Sequence, residues 1–195
     1  MNLKNLIIFM LITGGISGCS QQSTPIAGET ESQMADEHDW KFQVREKLMA
    51  YGHRNWIVVA DAAYPQQSNP AIQTMVIDAG QLEAVEFVVE LIENSSHVDA
   101  NIFVDREMAY VKEKNAKGIE NYKEKLDHIL QGKSREARLH EDIIKELDEA
   151  AELFNILILK TDLAIPYTSV FFRLECGYWD SKSEEDLRST MENTP

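Results

Sequence analysis

Apolar residues along the chain fall into short unbroken runs and longer periodic stretches, and the alternation of the two predicts a layered α/β fold. Residues 56–60, Trp-Ile-Val-Val-Ala, form a continuous apolar run closed by Asp61, as expected of a strand buried on both faces of a mainly parallel sheet. Residues 98–104, ending at Asp105, and residues 156–159 have the same character. Residues 170–174 follow an Ile165-Pro166-Tyr167 turn as a further strand, and residues 72–77 are a shorter candidate. Between the strands the period changes. Trp40, Val44, Leu48 and Tyr51 recur at spacings of four, four and three, which predicts a helix over residues 38–51 stopped by Gly52. Leu82, Val85, Val88, Val89 and Ile92 mark a second helix with a broad apolar face. Residues 107–131, rich in Glu and Lys with Tyr122, Leu126 and Ile129 on one side, predict an exposed helix, and residues 141–153 another. Helical and strand periods in alternation indicate a central sheet flanked by helices rather than a bundle or a sandwich.

The first residues carry a different message. Lys4 precedes an apolar stretch over residues 6–12 and then small residues, the layout of a secretory signal and too short for a permanent membrane span. Ile16-Ser17-Gly18-Cys19 resembles the lipobox of bacterial lipoproteins, which implies cleavage after residue 18 and a lipid on Cys19. Ser20 after that Cys implies an outer-membrane destination by the sorting rule of such proteins. Residues 19–37 are nearly free of large apolar groups and read as a flexible tether, since they bury too little to offset their ordering entropy. The domain then runs over residues 38–180. An acidic tail, residues 181–195, is either a short surface helix or disordered.

Composition narrows the partners. The chain has 195 residues, 19 basic and 33 acidic, for a net charge of −14, so one domain is expected and nucleic acid is disfavoured as a ligand. A membrane is expected to be reached through the lipid anchor, since the protein surface carries no basic patch to attract anionic headgroups. Once Cys19 is lipidated, Cys176 has no partner for an intrachain disulfide, and its apolar surroundings predict an inert buried thiol. No G-x-G-x-x-G, P-loop or G-x-S-x-G string occurs, which removes the common dinucleotide, nucleotide and serine-hydrolase readings. His97 and His128 sit in polar contexts and read as solvated. No metal-ligand spacing is present, so neither metal nor cofactor is predicted. Trp56 reads as core.

Open α/β sheets bind ligands at the carboxyl ends of their strands, which directs attention to Asp61. His53, in the turn entering the same strand, places an imidazole and a carboxylate on either side of one apolar run. By spacing alone a turn histidine and a strand-capping aspartate would serve as well. The longer string Gly52-His53-Arg54-Asn55-Trp56-Ile57-Val58-Val59-Ala60-Asp61-Ala62-Ala63-Tyr64-Pro65 resembles the opening motif of the ribose pyranase and fucose mutarotase family, with its His, Asp, Ala and Pro in register. Lys160-Thr161-Asp162-Leu163-Ala164-Ile165-Pro166-Tyr167-Thr168-Ser169-Val170 resembles the closing motif of the same family.

The resemblance implies a ribose-pyranase-like fold and the interconversion of ring or anomeric forms of a free monosaccharide. That chemistry removes a proton from the anomeric hydroxyl while another reaches the ring oxygen, so groups titrating near neutrality suffice. In these terms His53 is the proton shuttle, Asp61 orients the imidazole or grips sugar hydroxyls, and Tyr167 exchanges a hydrogen bond at another hydroxyl. His140 and Ser169 match sugar-contacting positions. The resemblance also implies a homo-oligomeric ring with sites across subunit interfaces, in which Tyr167 and His140 can complete a neighbour's pocket. Two departures bear on specificity. Ser169 stands where the family has Asn and offers one hydroxyl in place of a carboxamide, so fewer simultaneous hydrogen bonds, and Asn55 stands where the family has an acid. Two functions follow as expectations: a lipid-anchored sugar mutarotase, or a carbohydrate-binding envelope lipoprotein that has lost turnover.

Overall fold

The computed structural model describes residues 39–193, so the expected signal, the expected lipidation at Cys19 and the expected tether lie outside the described residues. The fold is mixed α/β. A six-stranded sheet is formed by β1 (Trp56–Ala60), β2 (Ile72–Val76), β3 (Val98–Asp105), β4 (Arg135–Arg138), β5 (Ile156–Lys160) and β6 (Val170–Cys176) in the order β2-β5-β1-β6-β3-β4. Five strands run the same way. β6 alone is antiparallel, wedged between β1 and β3 with Val58 level with Phe171 and Phe103 level with the same residue.

The side-chain alternation of the strands divides the core in two. Ile57 and Val59 of β1, with Leu157, Leu159 and Phe172, face a layer made by α1 (Trp40–Ala50), α2 (Gln81–Glu93) and α3 (Ile119–Ile129). Trp56, Val58 and Ala60, with Ile156, Ile158, Phe103 and Phe171, face α4 (His140–Ala150) through Ile143 and Leu147. Both faces are therefore covered, which is why β1, and β5 up to its last residue Lys160, are apolar instead of alternating with polar residues. Trp56 is core, stacked on Phe103 at 5.7 Å.

Two expectations need correction, and one strand was not anticipated. Residues 107–131 are not one helix. A 3-10 turn, Arg106–Tyr110, follows β3, and α3 begins only after Gly118, whose φ of 93° no helix interior accepts. The Glu113 carboxylate caps that start by accepting the Gly118 and Glu120 N–H groups. Strand β4 has no counterpart in the hydrophobic pattern, since Arg-Glu-Ala-Arg is almost entirely exposed. Its charges suit a sheet edge, where they oppose pairing with a foreign strand. His97 is half-buried and held at both ring nitrogens, by Ser95 Oγ at 2.7 Å and the Leu48 carbonyl at 3.0 Å, because the turn between α2 and β3 packs on the end of α1. The acidic tail forms a surface helix, α5 (Ser181–Glu192), with no buried residue. Among the described residues no helix is long and apolar enough to cross a membrane.

Candidate active site

All five parallel strands end at one edge of the sheet, and β6 begins there. That edge collects Asp61 after β1, Asp105 closing β3, His140 two residues past β4, Thr161 after β5, and the segment 166–169 that enters β6. Four groups at this edge form the site.

His140 opens α4, where its backbone N–H would otherwise lack a partner. Glu107 supplies one, its carboxylate oxygens lying 3.1 and 3.2 Å from that nitrogen. The His140 ring lies with Nδ1 3.0 Å from Asp105 Oδ1, and it meets the Tyr167 ring edge-on at 5.9 Å. The hydrogen bond to Asp105 raises the His140 pKa above the ordinary imidazole value, against burial, with the charges of Asp105, Glu141 and Glu107 adding to it. Asp105 is itself raised: burial disfavours its charge, and the bond and charge of His140 recover only part of that. Its second oxygen, Oδ2, is buried without a hydrogen-bond partner.

Tyr167 projects from a turn in which its own φ is 60°. A bulky residue in the left-handed region is strained by roughly 1–3 kcal/mol and persists only where its surroundings hold it. Those surroundings are a buried polar network. Gln81 at the start of α2 donates to the Thr168 carbonyl, the Tyr122 hydroxyl donates to the same oxygen at 2.8 Å, and Thr161 Oγ1 donates to Gln81 Oε1 at 3.1 Å. Thr168 Oγ1 closes the turn on the Ile165 carbonyl at 2.7 Å. The loop is thus pinned from below while the Tyr167 ring stays 41% exposed above.

Asp61 is half-buried and accepts the Ala63 N–H at 2.8 Å, and its charge acts on Asp105. Tyr64, almost fully buried, is pushed up strongly, first by burial and then by Asp148, Asp105 and Asp61, so it stays a neutral phenol at any physiological pH. Asp61, Asp105, His140 and Tyr167 thus form one neighbourhood of two carboxyls, an imidazole and a phenol, able to hold hydroxyl groups and carry protons. Among the described residues no group of three or more His, Cys, Asp and Glu is arranged to hold a metal ion.

The remaining expected residues are placed otherwise. Ser169 is 1% exposed, just before β6, and offers almost no surface to a ligand in the single chain. His53 is exposed in the turn before β1, at the opposite end of the sheet. Arg54 donates its N–H to the Leu174 carbonyl near the far end of β6, which fixes that placement. Between them β1 alone spans about 13 Å at roughly 3.3 Å per residue, so one chain does not bring His53 to Asp61. Asn55 has a structural duty here: Nδ2 donates to the Gly52 carbonyl at 3.0 Å and Oδ1 accepts from the Asn155 N–H at 2.8 Å, tying the His53 turn to the start of β5. Asp61, His140 and Tyr167 are also the candidates that the sequence and its family resemblance mark, whereas the sequence marks Asp105 only as the end of a strand. No local pattern marks Asp105, because its partner comes 35 residues later.

Among known proteins, the RbsD / FucU transport protein family matches residues 41–174. No curated protein matches the chain in sequence. RbsD of Bacillus subtilis complexed with D-ribose is 17% identical with a TM-score of 0.48, the match covering 68% of this chain and 91% of that one. The fucose mutarotase of Streptococcus pneumoniae in complex with L-fucose is 18% identical, also with a TM-score of 0.48 and coverage of 68% and 91%. FucU of Bifidobacterium longum is 14% identical at a TM-score of 0.48, over 68% and 93%.

Proposed function

The chain belongs to the RbsD / FucU transport protein family, and from that membership we propose that it is a mutarotase or pyranase acting on a free monosaccharide. The reaction needs no second substrate. A base takes the anomeric hydroxyl proton, the C1–ring oxygen bond breaks as the carbonyl forms, and the ring oxygen receives a proton. Closure on either face, or through another hydroxyl, returns both protons. No net oxidation occurs, so side chains able to hold and pass a proton are sufficient.

The observation that carries this reading is the gathering of Asp61, His140 and Tyr167 around Asp105 at the carboxyl edge of the sheet. His53 is the shuttle by its motif position but lies at the other end of its own β1. We therefore assign the complete site to an oligomer in which His53 of one subunit meets Asp61, His140 and Tyr167 of the next. The exposure of Tyr167 and His53 in the single chain supports that assignment. The mature protein, in this proposal, is held at the outer membrane by a lipid on Cys19, and a monosaccharide reaches it from the surrounding compartment.

The burial of Ser169, in the place of the family's Asn, favours a second reading in which the sugar is bound and not turned over. Exchange NMR on a panel of free aldoses separates the two. Accelerated anomer or ring-form exchange that disappears in His53→Ala supports the enzyme. Binding with no acceleration supports the second reading, and the absence of both overturns the sugar assignment.

A further inference from the structure

Asp105 lies outside both motif strings, yet it is the most buried acid at the site, 1% exposed. Its location follows from the sheet. β3 ends on Asp105, β4 lies beside β3 in parallel with Arg138 level with Asp105, and the chain leaving Arg138 turns into α4 within two residues. That tight path returns His140 over the Asp105 carboxyl. Two acids from the β3 end then grip one residue: Glu107 its backbone N–H, Asp105 its ring at 3.0 Å.

A carboxylate only accepts hydrogen bonds, so an ionised Asp105 requires the neutral imidazole to carry its proton on Nδ1. The opposite arrangement, a protonated Asp105 donating to a bare Nδ1, would put the ring proton on Nε2. Asp105 Oδ2 is buried with no partner, a costly placement for an acid whose only task is to brace a helix. Carboxyls whose titration is perturbed by burial and a charged partner, as at Asp105, cluster at working sites.

We propose that Asp105 is a positioning residue of the sugar site: by accepting the Nδ1–H of His140 it leaves Nε2 bare and directed to the guest, as an acceptor for a sugar hydroxyl proton. The proposal rests on the mutarotase reading for the identity of the guest. The proton on Nδ1 is retained throughout, and the one taken at Nε2 is handed back on ring closure. The other groups facing His140 are the Glu107 carboxylate from the 3-10 turn, Glu141 on its own helix, and the rings of Tyr167 and Phe171. Asp61 acts on the pair through Asp105. Of these, Asp105 alone bonds to a ring nitrogen.

The test is long-range 1H–15N correlation of the full mature chain with 15N-labelled histidine, above the titration of the ring. An Nδ1–H tautomer of His140 in the unaltered protein supports the proposal, and an Nε2–H tautomer overturns it whether or not any variant folds. In Asp105→Asn the tautomer preference is expected to weaken or reverse, the His140 titration midpoint to fall, and the rate of anomer exchange to drop about a hundredfold. A folded Asp105→Asn protein with unchanged tautomer, midpoint and rate overturns it. The imidazole signals need no sugar. If the unaltered chain shows the Nδ1–H tautomer but accelerates no aldose, the enzymatic reading fails while the role of Asp105 toward His140 stands.

Discussion

Tyr167 shows how much a single residue can reveal about the site. Its left-handed backbone works against stability, while the Gln81, Thr161 and Tyr122 network holds the loop in that shape and presents the ring beside His140. Glycine accepts this φ without strain but adds about 0.5–1 kcal/mol of chain entropy to the unfolded state. Tyr167→Gly is therefore expected to unfold in urea within about 1 kcal/mol of the unaltered protein, on either side, while sugar exchange falls at least about tenfold. A loss of stability well beyond that would show that the ring, and not the loop, carries the packing. At this scale the sequence was readable where a motif was local. His53, Asp61, His140 and Tyr167 could each be named from neighbouring residues. Asp105 could not, because the role proposed for it depends on a contact with a residue on another element.

The elements were predicted well wherever their burial was one-sided or complete. α1, α2, α4, β1 and β5 follow the apolar spacing closely, since each has to hide a definite set of side chains. β4 and the 3-10 turn after β3 escaped because neither owes its shape to its own apolar residues. β4 is held by pairing with β3 and by ion pairs: Glu146 of α4 bridges Arg138 of β4 at 2.5 Å and Arg173 of β6 at 2.6 Å, while both guanidinium groups lie about 5 Å from the Phe103 ring. Burial pushes the Glu146 carboxyl up, but the hydrogen bonds and charges of Arg138 and Arg173 together outweigh it, so Glu146 titrates below its usual range. A depressed carboxyl contributes stability that is fully present above its unfolded pKa, about 4.3, and is lost as the pH falls through the folded value. Glu146→Ala is expected to cost about 1 kcal/mol at pH 7, and the difference from the unaltered protein should shrink below about pH 4. Paired urea titrations at pH 7 and pH 3.5 check both parts. A difference that grows on acidification would remove the ion pairs from the account.

At the scale of the whole molecule, the distance between His53 and the Asp105–His140 pair is the governing fact, and the assembly proposed above, with sites shared between subunits, is built on it. Such an assembly makes a definite prediction. His53→Ala and Tyr167→Phe should each be inactive alone, whereas subunits mixed in equal amounts and reassembled should recover about a quarter of the unaltered exchange rate, since each shared site draws one residue from either parent at random. Recovery of nothing would mean that each site takes its residues from one chain, which the placement of His53 opposes. By itself the sequence determined the α/β class, the buried strands, the family motifs and the residue types able to move a proton, because those depend on local spacing and on the need to bury apolar side chains. Only the tertiary structure decided that β6 runs antiparallel between β1 and β3, that β4 sits beside β3, and hence that His140 meets Asp105 while His53 does not meet Asp61. Strand order sets which residues distant in the chain become neighbours, and it is chosen by the packing of the whole sheet, which no local stretch of sequence encodes.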